Sequence, residues 1–409
     1  MKTLWEVWQE TVRRYPDRVL VTEAEAGRTW TGAQLTSAAE QLAGTLAGRV
    51  QGFALPNSAN WFIHFLATQK CGGIAVPLEA GRQAPTLPAR RGACFIKTTS
   101  GTTGQFQPIY CTAANLLADG RQVCATMGIN PTDVNLALIP LGHSYGIGNL
   151  VMPLIQQGTP VVCATGFVPR QILAFIERYR VTVFPTVPAV LRPLVQLPAA
   201  KTPSSLRLVI SAGAPLVPEL AAQFHEKFRV RVHNFYGASE AGGICYDRTG
   251  RGAGVGKPLR GVRVTIRKDG RIAVASKAVV GTGRFVLADR GEWSKRGELI
   301  LTGRVGAMAN IGGKKVAPAE VEAALRKLTG VTDAWVTVLR DPRGHDLLAA
   351  AVESALSRGE IECELAGRVP LWQLPKLWFL AAALPRTDRG KLDTAALRRA
   401  LEPTAPALR

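Results

Sequence analysis

Short apolar runs alternate with helical patterns through the middle of the chain. Pro160-Val161-Val162-Cys163 reads as a buried strand and is followed by a helical pattern over residues 170–179. Val181-Thr182-Val183-Phe184 reads as another and is followed by a second helical pattern over 187–196. Parallel neighbours need a long crossover, usually a helix, so this order predicts an α/β fold: a large layered domain with a largely parallel sheet. The texture then changes. Residues 245–304 are cut into short glycine-punctuated segments such as Val262-Arg263-Val264-Thr265-Ile266, which predicts a small β subdomain. A helix over 318–328 and a strand over 334–339 predict a compact α+β unit after it. The expected organisation is a large domain over 1–304, with its β subdomain at 245–304, and a small mobile α+β domain over 305–409. The sequence has no internal repeat and no low-complexity tract.

Residues 98–104 read Thr-Thr-Ser-Gly-Thr-Thr-Gly and follow the apolar stretch Ala93-Cys94-Phe95-Ile96. Gly101 and Gly104 allow positive φ and close backbone approach, so successive amides can face one anion while Thr99, Ser100, Thr102 and Thr103 add hydroxyl donors. The pattern suggests a phosphate-binding loop. It is not a Walker loop, because Gln105-Phe106-Gln107-Pro108 follows and supplies no lysine for a terminal phosphate. A solvated Ser/Gly loop is the bland alternative for such a composition.

Three further segments bear on that choice. Leu208-Val209-Ile210-Ser211 runs into Ala212-Gly213-Ala214-Pro215, a turn of small residues that can lie flat against a planar ring. Val232-His233-Asn234-Phe235-Tyr236-Gly237-Ala238-Ser239-Glu240 ends a strand in an aromatic, a hydroxyl and a carboxylate: Tyr236 can stack on a base, Ser239 can bond a phosphate, and Glu240 can hold a hard cation through oxygen. Gly303-Arg304, the stretch from Gly312-Gly313-Lys314-Lys315 to Glu322, and Pro385-Arg386-Thr387-Asp388-Arg389-Gly390-Lys391 complete the series. In this order the segments resemble the superfamily of adenylate-forming enzymes, which comprises acyl- and aryl-CoA synthetases, the adenylation domains of peptide synthetases and firefly-type luciferases. The resemblance runs from Thr3-Leu4-Trp5 and Thr29-Trp30-Thr31 to Lys391.

The resemblance implies a role for each segment. Thr99 to Gly104 would hold the β- and γ-phosphates of ATP. Adenine would lie between Gly213-Ala214-Pro215 and Tyr236, beside Asn234 and Gly237. Ser239 would meet the α-phosphate and Glu240 would ligate Mg²⁺. The family's ribose-binding aspartate falls on Asp289 and its interdomain arginine on Arg304. Lys391 matches the lysine that bridges the acyl carboxylate and the α-phosphate. Chemistry favours a lysine there, because a carboxylate attacking a polyanion needs fixed positive charge that strengthens as charge moves to the leaving pyrophosphate. An ammonium on a long stem can also arrive and leave with a mobile domain. A solvated surface lysine is the alternative.

His143, in Pro140-Leu141-Gly142-His143-Ser144-Tyr145, stands where the family often has a histidine or aromatic facing the acyl group; a hydrogen-bonded core histidine is the alternative. Candidate walls for the acid are His143, Tyr145, Val187, Gly213, Gly237 and Gly242, small or moderate groups that fit an aryl or medium acyl substrate. Leu287-Ala288 stands before Asp289 where the family has Thr-Gly, so a plain turn aspartate is its alternative. The chain is short for the superfamily, with the shortage concentrated between Pro56 and Gly92, so the N-terminal subdomain is expected to be trimmed. Gly306 occupies the hinge position, where relatives carry Asp or Lys, and leaves rotation of the small domain unhindered.

The expected activity is therefore ATP-dependent formation of an acyl-adenylate, followed by transfer to the thiol of coenzyme A. Transfer to a carrier-protein phosphopantetheine is the close alternative, and a luciferase-like oxidative outcome is a minor one. A noncatalytic nucleotide-binding relative is another alternative, suggested by the residues after Gly104. A nucleic-acid-binding protein is suggested by the formal charge of +20, but no RNA or DNA module is recognisable. Residues 245–304 hold 14 basic against 5 acidic side chains, a net +9 of that +20. Arg260, Arg263, Arg267, Lys268 and Arg271 are candidates to attract an anionic acceptor; a solvated face is the alternative. The seven cysteines are scattered singly, which argues against zinc and a disulfide framework. The N-terminus carries acidic residues in an amphipathic pattern rather than a signal peptide, and no apolar run approaches the ~18 residues of a membrane span. The expected location is cytoplasmic.

Overall fold

The computed structural model describes residues 2–78, 86–100, 106–198, 203–251, 254–304, 309–311, 314–341, 345–387 and 390–402. The fold is α/β. The chain divides into two compact units, one of residues 1–265, 273–286 and 293–300, the other of 266–272, 287–292 and 301–409.

A nine-stranded sheet organises the first unit. In spatial order its strands are Lys257–Pro258, Gly242–Tyr246, Val232–Ala238, Leu208–Ser211, Val183–Thr186, Asn135–Ala137, Val161–Cys163, Val19–Glu23 and Arg28–Thr31. The six from Val232–Ala238 to Val19–Glu23 run parallel, and both margins are antiparallel hairpins. The inner strands are short and apolar, with Val183–Thr186 and Leu208–Ser211 buried throughout, as expected for a sheet covered by helices on its faces. A second, four-stranded sheet pairs Val50–Phe53, Ile74–Pro77, Ala93–Ser100 and Phe106–Thr112 in that order. Of these strands only Ile74–Pro77 falls within the stretch between Pro56 and Gly92 where the shortage is expected.

Local chemistry sets the helix ends. Helix Leu4–Arg14 begins with a capping box, in which Thr3 accepts from the Glu6 amide and Glu6 reaches back to the Thr3 amide; Leu4 and Trp8 are buried beneath it. The helix expected over 170–179 runs Pro169–Arg178, because Pro169 is preorganised for a first helical position. The second runs Pro188–Gln196.

Strands Arg263–Ile266, Arg271–Ala275, Arg284–Trp293 and Leu299–Arg304 form a four-stranded sheet, and the division between the units falls within it. In the second unit, strands Val331–Arg340, Asp346–Ser354 and Leu377–Ala381 form a three-stranded sheet. Helices Pro318–Leu325 and Arg358–Ala366 add Val321, Leu325, Ile361 and Leu365 to a core with Val336, Leu348 and Val352. The helix expected over 318–328 stops at Leu325, and the next residue, Arg326, turns its guanidinium to Glu322 and Asp333.

Candidate active site

The order of the parallel strands marks one end of the large sheet. From Asn135–Ala137 the chain adds Val161–Cys163 on one side, then crosses to the other side for Val183–Thr186, Leu208–Ser211 and Val232–Ala238. Crossovers that leave in opposite directions open a crevice at the carboxyl ends of the strands where the order reverses. The segments leaving those ends are 138–145, Val187, 212–215 and the end of Val232–Ala238 with Ser239 and Glu240. Four separate stretches singled out in the sequence thus leave the same end of one sheet.

On the first stretch, Asn57 donates to the carbonyls of Ala137 and Ile139 at 2.9 and 3.0 Å and accepts the Leu141 amide at 3.1 Å. That amide ladder shapes the path into His143. The His143 ring is half-buried; its Nδ1 accepts the Tyr145 amide at 3.3 Å, which places any ring proton of the neutral form on Nε2. Tyr145 is buried, donates to the Ile210 carbonyl at 2.9 Å and lies against Phe235. Burial pushes its phenol far above the usual range, so it remains a neutral donor. Val187 is buried at the start of helix Pro188–Gln196.

The small-residue turn leaves Leu208–Ser211 with Gly213 at φ +82°, a conformation that favours glycine. Gly213 and Pro215 are exposed and Ala214 half-buried, so the turn offers a face rather than a core. Asn234 donates to the Gly254 carbonyl at 3.1 Å, and Tyr236 is half-buried opposite Cys245. At Gly237 a Cβ would lie 2.7 Å from the Gly242 carbonyl oxygen, so this close hairpin requires glycine. Gly242, expected as a wall for the acid, is itself buried and faces a carboxylate from another element.

That carboxylate belongs to Asp119, on helix Ala113–Met127, and it accepts the Gly243 amide at 2.8 Å. Burial raises the Asp119 carboxyl, while Lys97 and the Gly243 hydrogen bond oppose the rise. Lys97, 5% exposed on strand Ala93–Ser100, donates to the Ser239 carbonyl at 3.0 Å. The Glu240 carbonyl accepts the Val280 amide at 3.0 Å. The buried Cys111 thiol is raised chiefly by desolvation; Lys97 opposes that shift, and Asp119 and Glu240 add to it. Sequence reading missed Lys97, Asp119 and Asn57. The signal for Lys97 was a lone lysine between apolar Ile96 and the Ser/Thr/Gly run.

Lys391 lies in the second unit, on a tight turn. The Lys391 carbonyl accepts the Thr387 amide at 2.8 Å, Gly390 holds φ +70°, and Arg386 bridges to Leu392. Arg386 secures the turn from behind, donating to Asp333 at 2.8 Å, Glu353 at 3.0 Å and the Gly390 carbonyl at 3.4 Å. Asp289 is half-buried in strand Arg284–Trp293, in the part of it assigned to the second unit. Arg304 ends strand Leu299–Arg304, after Gly303 at φ +147°. Thr99 and Ser100 are on strand Ala93–Ser100, whereas Gly101, Thr102, Thr103, Gly104 and Gly306 lie outside the described residues.

Comparison with known proteins adds three relatives. A 3-[(3aS,4S,7aS)-7a-methyl-1,5-dioxo-octahydro-1H-inden-4-yl]propanoyl:CoA ligase of Mycobacterium tuberculosis is 27% identical over 362 residues, 82% of this chain and 70% of that protein. CymA of Salinispora arenicola, a probable non-canonical nonribosomal peptide synthetase, is 26% identical over 97% of this chain, which matches only 6% of that long protein. The structure of an ATP-bound RpMatB-BxBclM chimera superposes with a TM-score of 0.86 at 20% identity, covering 98% of this chain and 99% of the other. The family described as AMP-binding enzyme matches residues 8–91 and 81–282. With two thirds of its length matched by that family and the strand ends arranged as above, the chain belongs to the AMP-binding enzymes.

Proposed function

We propose that the protein is an ATP-dependent acid–thiol ligase that activates an aryl or medium acyl carboxylic acid as its adenylate and transfers it to coenzyme A. The observation that carries the reading is the emergence of His143, Val187, the Gly213 turn and the Ser239–Glu240 turn at one end of the parallel strands of a single sheet. The 27% identical relative named as a CoA ligase supports the choice of acceptor.

In the first half-reaction a carboxylate oxygen attacks the α-phosphorus, the bond to pyrophosphate breaks, and an acyl phosphate anhydride forms. Ser239 meets the α-phosphate, Gly213 to Pro215 and Tyr236 sandwich adenine, and Asp289 serves the ribose. Among the described residues no cluster of three or more metal-ligating side chains exists. The single carboxylate of Glu240 fits Mg²⁺, which takes one or two protein carboxylates and completes its shell with substrate phosphates and water. When bound, the ion neutralises phosphate charge as pyrophosphate departs. Lys391 neutralises the pair of anions that must meet. In the second half-reaction the thiol gives up its proton to solvent, its sulfur attacks the acyl carbon, and AMP leaves with the electrons of the broken acyl–oxygen bond. The exposed Arg260 and Arg263 draw the anionic acceptor.

ATP–pyrophosphate exchange against a panel of aromatic and aliphatic acids tests the first step, and thioester formation with coenzyme A tests the second. Lys391→Ala is expected to reduce exchange by about 100-fold or more while ATP still binds. Absence of exchange with every acid would refute the reading. A carrier-protein acceptor is the second reading, supported by the relative named as a peptide synthetase. Exchange without thioester formation on coenzyme A would favour it.

A further inference from the structure

Lys97 ties together two segments that come from different sheets. Its strand, Ala93–Ser100, runs directly into the Ser/Thr/Gly stretch, while its Nζ donates to the Ser239 carbonyl on the turn after Val232–Ala238. Asp119 grips the far side of the same turn through the Gly243 amide, and the Val280 amide holds the Glu240 carbonyl between them. Glycines make room for the carboxylate. A Cβ at Gly242 would lie 2.5 Å from Asp119 Oδ1, and one at Gly148 would lie 2.7 Å from Oδ2. Residues 147–151 form a π-helical turn, a feature that widens a helix locally and recurs at functional sites.

A lysine and an aspartate side chain, 5% and 3% exposed, are an inefficient way to fill space, because apolar side chains of similar volume serve stability as well or better. What the pair supplies is direction. A buried lysine whose Nζ meets a backbone carbonyl fixes that carbonyl, and with it the side chains of Ser239 and Glu240, relative to the strand leading into the phosphate segment. We propose that Lys97 and Asp119 form a buried hydrogen-bonded clamp on the 238–243 turn, which makes both of them positioning residues for adenylation. The inference rests on Ser239 and Glu240 acting at the α-phosphate and the metal.

Two variants test the clamp, Lys97→Met and the double Lys97→Met/Asp119→Asn, which leaves no unpaired buried charge and keeps an acceptor for Gly243; Lys97→Arg is the conservative control. In Lys97→Met and the double variant, acid-dependent pyrophosphate exchange is expected to lose about 100-fold in kcat, the scale of a misplacement near 1 Å, with KM for the acid little changed. The Mg²⁺ midpoint should rise about tenfold, and Lys97→Arg should recover part of the loss. Hydrogen exchange of peptides covering 236–246 is read in parallel without substrates and should quicken by at least about tenfold in both variants. Wild-type protection of that turn, or kcat within about twofold of wild type, in the folded double variant overturns the clamp. If Lys97→Met alone fails to fold, the double variant decides. A wild-type protein that exchanges no pyrophosphate refutes the ligase reading instead, and the clamp is then judged by the hydrogen-exchange result.

Discussion

Replacing Arg386 by methionine keeps the aliphatic stem but removes the guanidinium from the second unit. In the native unit that group, 22% exposed, meets Asp333 and Glu353, whose side chains are 13% and 11% exposed. After the change Asp333 keeps Arg326 at 3.0 Å and its own Ala334 amide contact, whereas Glu353 keeps the Leu384 amide at 3.1 Å and loses the cation. Breaking a fully buried pair costs about 3–5 kcal/mol. Because Asp333 retains one arginine and about a fifth of the guanidinium already meets water, about 2–3 kcal/mol is expected here. For a unit of this size that corresponds to a fall of about 8–12 °C in its melting temperature. The turn carrying Lys391 also loses its tie to Arg386, so pyrophosphate exchange should fall even at temperatures where the unit stays folded. Calorimetry, with hydrogen exchange of strand Asp346–Ser354 to assign the transition, measures the first effect. A shift below about 3 °C, with exchange activity intact, would refute the network argument.

Other consequences follow from the same structure. Burial tends to raise the Asp333 carboxyl, but Arg326 and Arg386 more than offset it and hold the group below the usual carboxylate range. Its folded value lies below the unfolded one, so its contribution to stability is present above about pH 4 and is lost as pH falls through the folded value. Asp333→Asn should therefore flatten the acid limb of stability against pH, and parallel curves for the two proteins would count against the assignment. Cys71 and Cys363 are exposed; Cys111, Cys124, Cys163 and Cys245 are buried; and burial raises the half-buried Cys94 thiol. Two of the seven thiols should react rapidly with a thiol-specific chromogenic reagent, the others only on unfolding. Asn57→Ala leaves the Ala137 and Ile139 carbonyls and the Leu141 amide without their side-chain partner, at a cost of about 2 kcal/mol. Urea titration measures that cost, and the KM for the acid should rise as the path into His143 loosens.

The alternation around 160–196 was enough to read a parallel α/β sheet, because each strand is a short buried run and each helix has its own amphipathic period. The strand order was not legible, since nothing local says that the chain crosses back past Asn135–Ala137 before Val183–Thr186. The antiparallel margins depend on pairings that hydropathy does not encode. The glycine, hydroxyl and aromatic positions proposed for the site stand out in the sequence because their chemistry is local. Lys97 and Asp119 could not, because an isolated charge in a sequence reads as a solvated one, and only tertiary partners decide otherwise. Asn57 escaped for a related reason: its partners lie 80 or more residues away.

Strand Val19–Glu23 has consequences during synthesis as well as in the finished molecule. Val21 pairs with Val161, 140 residues further on, and Thr11 of the preceding helix donates to the Ile155 carbonyl. At a ribosomal pace of about 5–20 residues per second, the first hairpin and the apolar face of Leu4 and Trp8 emerge on the order of ten seconds before those partners exist. Throughout that interval the nascent chain presents an unpaired strand edge next to two large apolar side chains. The hairpin of Val19–Glu23 and Arg28–Thr31 is therefore a stretch on which a nascent-chain chaperone has time to act before Val161–Cys163 is made.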